Sequence, residues 1–580
     1  MAGLQIEIYL LMAIGWWMGK TGRLSKQTWS QLTDLVIVVI LPCAIIRSFQ
    51  MDLSEDVLGY RTMRYLFFTW YNGAQRGMKM TREEMIETYR QWVFRMSAYQ
   101  MALSIIEIDR STVAPPAGAS YRDERSAYLA GEAYSIMMDP KMLEIVNILK
   151  EDEQVDPVVR RGCQLYAIRL GNSLSFPKEK FVAQSMLFNQ AYDAWLKAKQ
   201  NNDYSIFEPY LKKIIESRRE EYSCRNSDLP LYDQMLQDYE PGMTTEKYDA
   251  FFSAVTDRLV PLIHKVTEAE QIDNSFLHQE YPIEGQKKFM EHLLSYLHFD
   301  PSWGYQNETE HPFTSWTCQN DCRTTTKYIH DDASSAILST IHEAGHAWYQ
   351  HNIDPAFDGM ILSDGVSCGM HESQSRLLEN HLGRSVSFWK ANYPVLQEIF
   401  PSQLKDVTLD QFVAAINVAE PSLVRTEADE LTYPLHIAIR YEIEKGLFNG
   451  TISTEHLDET WNAMYEKYLG VKAEQASMGI LQDVHWSSGS FGYFPTYALG
   501  SAYAAQFVHT MEQQIPVHTL LEENRFDEIE AWLKENIHRH GCYLQPQDIL
   551  KQATGEGADV HYYLDYLCDK YTKLYDLRGE

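Results

Sequence analysis

Positive charge is scarce in this chain. Its 580 residues hold 51 Lys and Arg against 80 Asp and Glu, a formal net charge of -29. Such a surface repels phosphate backbones, so a nucleic-acid partner is excluded. Cysteine is scarce as well: there are eight, with no C-x-x-C pair and no zinc-finger spacing. Cys318 and Cys322, four apart, come nearest to a pattern. Few and scattered cysteines in a long chain suit a reducing compartment, and a cytoplasmic protein is expected. Long apolar runs are missing too. Ile8 to Gly19 and Leu35 to Ile46 hold twelve residues each, short of the ~20 that a straight helix needs to cross a bilayer. No basic residue precedes the first run and no small-residue cleavage site follows it, so a signal peptide is not expected. Repeats and low-complexity tracts are absent. Pro-Gly punctuation is sparse, with its clearest breaks at Ala114-Pro115-Pro116-Ala117-Gly118 and Glu240-Pro241-Gly242.

Helix signals dominate from about residue 61. Thr81 with Glu84 reads as a capping box ahead of a run to Ile106. Phe181, Phe188, Tyr192 and Trp195 fall on one helical face and are expected in the core. Thr245-Glu246 opens another helix through Phe251, Val255, Leu259 and Leu262. Alternation long enough for a large sheet is missing. The expected fold class is mainly α, a large helical domain over residues 61–580 with a few short strands between His311 and Tyr328, where Thr and aromatic residues gather.

One stretch carries chemistry. Ile341-His342-Glu343-Ala344-Gly345-His346-Ala347 is an H-E-x-x-H pattern on a helix that Asp331 and Asp332 can cap. Ile337, Ile341, Ala344 and Trp348 form its apolar stripe. His342 and His346, four apart, project from one face, and Glu343 can reach a water held between them. Two imidazole nitrogens and a nearby carboxylate suit a tetrahedral metal ion with a general base. A third protein ligand is then needed. Glu372, 26 residues beyond His346 on a helix of its own, is one choice; His371 and Glu379 are its rivals, and spacing alone does not decide.

Several further motifs stand in order. His311-Pro312-Phe313, Asp321-Cys322-Arg323-Thr324-Thr325, His371-Glu372-Ser373-Gln374, Arg425-Thr426-Glu427-Ala428-Asp429 and Gly479-Ile480-Leu481-Gln482-Asp483-Val484-His485-Trp486 flank the H-E-x-x-H pattern. Together they resemble the M32 family of metallocarboxypeptidases, the carboxypeptidase Taq type, from roughly residue 80 to the C-terminus. The resemblance implies a nearly all-helical fold with a deep central groove. It implies His342, His346 and Glu372 as metal ligands and Glu343 as base, with one divalent ion per chain, zinc expected and cobalt the alternative. It also implies a homodimer acting on peptides with a free C-terminus.

A carboxypeptidase must hold its substrate's terminal carboxylate, and arginine's planar fork does this best. Arg425 is the candidate the family motif suggests; the competing reading is an ion pair with Asp429. Tyr497 would add a second bond to the carboxylate, with Tyr493 competing for that role. His311 and His485 are expected as donors from the pocket wall, and Asp483 as a carboxylate that orients a neighbouring histidine. The rival activities on the same metal are endopeptidase and aminopeptidase; against the second stands the missing G-x-M-E-N stretch that would hold a substrate ammonium. Residues 1–60 stand apart. Gly15 to Leu24 and Leu41 to Ile46 resemble the opening of auxin-efflux-carrier-type transporters, and Trp16, Trp17, Lys20 and Arg23 look like interfacial anchors. This segment reads either as a foreign leader or as two apolar helices packed on the domain. Any membrane association, or a membrane-carrier reading, would rest on it alone.

Overall fold

The computed structural model describes residues 80–577. The expected leader, residues 1–60, lies outside them. Helices make up nearly all of the architecture, from Arg82–Thr112 at the start to His561–Leu574 at the end. No helix among the described residues is long and apolar enough to cross a membrane.

Local chemistry explains the helix that carries the H-E-x-x-H pattern. It runs Ala333–His351, and the Asp332 carboxylate caps it by accepting from the backbone N–H groups of Ser334 and Ser335. Ile337, Ile341, Ala344 and Trp348 are all buried along one stripe. The opposite face is left for the histidines. Phe251, Val255, Leu259 and Leu262 on helix Thr245–Glu268 are likewise buried.

Three strands form the one sheet among the described residues, in the order β1 (Gly304–Glu308), β3 (Asp321–Thr326), β2 (Thr314–Cys318). β1 lies parallel to β3, and β2 runs antiparallel to it with Thr314 opposite Thr324. Two of these strands fall within the window expected from the sequence; β1 precedes it. The sheet packs on the histidine helix through its central strand β3 and edge strand β2.

The aromatic stripe of helix Lys178–Asn201 departs from expectation. Trp195 is buried, but Phe181 and Tyr192 are 39% and 47% exposed. The buried stripe runs instead through Gln184, Ala191, Ala194, Trp195 and Ala198. Neighbouring elements approach over the alanines, where the helix surface is lowest, and Phe181 stacks on Tyr134 at the surface instead.

A short helix, Cys368–Arg376, is wedged between the histidine helix and the long helix Pro495–Gln514. Two glycines permit this. A Cβ at Gly345 would stand 2.5 Å from the Gln374 carbonyl oxygen, and one at Gly500 would stand 2.8 Å from the Glu372 Cβ. Real Cβ atoms do not approach so closely, so backbones touch where side chains would otherwise separate them. The short helix widens at once into a π-helical turn, Leu377–Leu382.

Candidate metal centre and substrate cleft

His342 and His346 leave the histidine helix on one face, their ring centroids 5.0 Å apart. The wedged helix brings Glu372 against them. Its Oε2 lies 3.4 Å from His346 Nε2 and 3.7 Å from His342 Nε2. A tetrahedral ion with bonds of about 2.0–2.1 Å needs ligand atoms roughly 3.4 Å apart, so this donor set fits one. Its ligand atoms all lie within 4.8 Å of one another.

The two rivals for the third ligand stand one layer behind. Glu379 Oε2 lies 2.9 Å from His342 Nδ1, and His371 Nδ1 lies 2.7 Å from His346 Nδ1. Both Nδ1 atoms are thus engaged, which leaves Nε2 of each ring facing Glu372. Arg376 donates to Glu372 Oε1 at 2.7 Å and to Glu379 Oε2 at 3.1 Å. Burial alone would raise both carboxyl groups; the Arg376 charge beside them overrides it and holds them well below the usual carboxylate range. The π-helical turn supplies Glu379, and nothing in the local sequence announces such a turn.

Glu343 is buried to 6% exposure. Thr314 Oγ1, at the start of β2, donates to Glu343 Oε2 at 2.5 Å and lies 3.0 Å from its backbone carbonyl. Sequence reasoning missed Thr314. The only available signal was its position directly after His311-Pro312-Phe313.

The histidines, Glu343, Glu372, Arg425, Tyr493 and Tyr497 all line one cleft of about 1150 Å³. A single ring links its two ends: the Arg376 guanidinium lies 4.6 Å over Tyr433, and Arg425 Nη1 donates to the Tyr433 hydroxyl at 3.1 Å. Arg425 does not pair with Asp429, whose carboxylate instead accepts from the backbone of Leu431 and Thr432. Its partner is Asp483, at 2.9 Å, and Arg440 binds the other oxygen of the same carboxylate. Burial would raise Asp483, but the two arginines hold it well below its ordinary value; Arg425 is raised in turn. The Arg425 guanidinium also lies 5.0 Å over the Tyr497 ring. Tyr493 and Tyr497 meet edge to face at 5.1 Å.

Three expectations need correction. Asp483 orients arginines, not a histidine: His485 Nδ1 stays 3.9 Å from it, beyond hydrogen-bond reach. His485 does not line the cleft, because its ring is stacked behind Tyr493, which does. Burial lowers its pKa to about 4, so it is neutral at physiological pH. His311 sits in an exposed turn before β2, and only its successors Pro312 and Phe313 reach the cleft wall.

Comparison with known proteins places this geometry. The family model for carboxypeptidase Taq (M32) metallopeptidases matches residues 88–571. Carboxypeptidase 1 of Bacillus subtilis is 40% identical over 497 residues, which cover 84% of this chain and 99% of that protein. Thermostable carboxypeptidase 1 of Thermus thermophilus is 36% identical over 500 residues, covering 83% and 97%. The crystal structure of an M32 carboxypeptidase from Deinococcus radiodurans superimposes with a TM-score of 0.83 at 32% identity, over 85% of this chain and 99% of that one.

Proposed function

The chain belongs to the carboxypeptidase Taq (M32) metallopeptidase family and is a metallocarboxypeptidase, and from this premise we propose that it removes C-terminal residues from peptides with Glu343 as general base and Arg425 as carboxylate receptor. The observation that carries the reading is the cleft itself, which His342, His346, Glu372, Glu343 and Arg425 line together. His342, His346 and Glu372 would hold the ion, zinc by preference, with cobalt a working substitute. When bound, the ion supplies Lewis acidity, lowering the pKa of water and polarising the scissile carbonyl.

The remaining work falls to side chains. Arg425 meets the substrate's terminal carboxylate with its guanidinium fork, while Tyr497 offers a hydroxyl to the same group. Asp483 holds that fork in place. With the chain end fixed, the last peptide bond comes to rest on the metal side of Tyr433. Glu343 accepts the proton of the attacking water on its carboxylate, steadied by Thr314, and returns it to the nitrogen of the departing amino acid. No covalent enzyme intermediate is required.

The same proposal includes a cytoplasmic location, which the free thiols of the described cysteines suit, and a homodimer, which sedimentation of the purified chain would test. The deciding experiment is hydrolysis of one peptide with a free and with an amidated C-terminus, joined to metal analysis. Stepwise shortening of the free peptide alone is expected. Equal cleavage of the amidated peptide would point to an endopeptidase and remove Arg425 from its role.

A further inference from the structure

Glu240 takes no part in the chemistry above, yet it is completely buried. It sits where the chain passes from helix Leu231–Tyr239 toward helix Thr245–Glu268, and its neighbours Asp238, Tyr239 and Pro241 line the cleft. Burial pushes its carboxyl up to about 7, opposed by hydrogen bonds from Ser367, Gly369 and Tyr503 and by no cation. A buried carboxylate without a counter-charge is costly, so what it holds matters.

Its two oxygens hold two elements of the metal site. Oε2 accepts from the Gly369 backbone N–H at 3.0 Å. Gly369 is the second residue of helix Cys368–Arg376, so this N–H has no acceptor inside the helix and lies at the positive end of its dipole. The approach leaves no room for a side chain: a Cβ on Gly369 would stand 2.5 Å from Oε2. Oε1 accepts from the Tyr503 hydroxyl at 3.2 Å, on helix Pro495–Gln514, and Gln547 donates to that hydroxyl at 2.6 Å. Glu372 follows Gly369 by three residues, less than one helical turn.

We propose that Glu240 is a positioning residue for the metal site: it pins the N-terminus of the Glu372 helix to Tyr503 and so fixes where Glu372 Oε2 stands against the two histidines. This rests on the metal reading above. Glu444 provides the control. It is equally buried and is also pushed up to about 7. It accepts from the Gly492 N–H, Trp486 Nε1 and Tyr232 hydroxyl, and holds nothing of the Glu372 helix.

The test uses the full chain as wild type, E240Q, Y503F and E444Q, with Co²⁺ as the probe. Three quantities are read: the Co²⁺ dissociation constant by chelator competition, the visible spectrum of the Co²⁺ form, and kcat against KM. E240Q is expected to weaken Co²⁺ binding about 10- to 100-fold, to shift the visible bands, and to lower kcat with little change in KM. Y503F keeps Glu240 but removes one anchor; it should move the same readouts in the same direction by about threefold, and it decides the matter should E240Q fail to fold. E444Q should lower the melting temperature of the metal-free protein while leaving Co²⁺ affinity unchanged. E240Q and Y503F binding Co²⁺ as wild type does, with unaltered spectra, would overturn the proposal, as would an E444Q that weakens Co²⁺ equally. A wild type that binds no Co²⁺ would overturn the metal reading, and this proposal with it.

Discussion

The two ends of the cleft pair their charged groups in opposite proportions. At the histidine end three carboxylates, Glu343, Glu372 and Glu379, face two guanidinium groups, those of Arg376 and Arg384. At the other end Arg425 and Arg440 share the single carboxylate of Asp483. Buried charge is tolerated where it is paired. In the proposed reading a divalent ion complements the first end and the free carboxylate of a peptide the second, with the Tyr433 ring, which touches both Arg376 and Arg425, between them.

Removing the cation should break this arrangement most completely. Treatment with a chelator is expected to reduce hydrolysis of a free-ended peptide to background, and Zn²⁺ or Co²⁺ to restore it. E372A should stay inactive after the same addition, with elemental analysis finding well under one metal per chain. E343Q asks a narrower question at the same end. Its kcat should fall by about 10²- to 10⁴-fold with the metal retained; a fully active variant would take Glu343 out of the mechanism.

The arginine end should show itself first in stability. D483N leaves two buried arginines without their common partner, and unfolding experiments at pH 7 should find a loss of roughly 3–5 kcal/mol. The sign of the pH dependence follows from the depressed carboxyl. Its contribution is complete above the unfolded value, ~3.9, and is lost as pH falls through the lower folded value. The melting temperatures of wild type and D483N should therefore converge only in acid, below about pH 4. R425K keeps the charge but loses the fork. It should reduce kcat/KM for a free-ended peptide by about 10- to 100-fold; an equal loss on the residual cleavage of an amidated peptide would deny Arg425 the terminal carboxylate. The smallest effect belongs to Y497F, a KM rise of about 2- to 10-fold that Y493F does not share. The reverse pattern would move the contact to Tyr493.

The two ends were unequally legible from sequence. Asp332, the apolar stripe and the paired histidines lie within one helix, where period and cap are local signals. Glu372 was not separable from His371 and Glu379 by spacing. The structure shows why: all three face the same two histidines, and only depth distinguishes them. At the arginine end adjacency misled. Asp483 stands two residues from His485, yet its partners come from 58 and 43 residues away, brought in by the packing of separate helices. The Phe181 stripe failed for a related reason, since periodicity marks a face but not what covers it.

The two glycine contacts at residues 345 and 500 set limits on redesign. A strut gripped on both flanks cannot slide along its axis or tilt, so the coordination sphere resists adjustment through the main chain. Any attempt to alter this enzyme's choice of ion must work through side-chain reach, for instance by shortening Glu372 to Asp, because a single methyl group at either point of contact would pry the assembly apart.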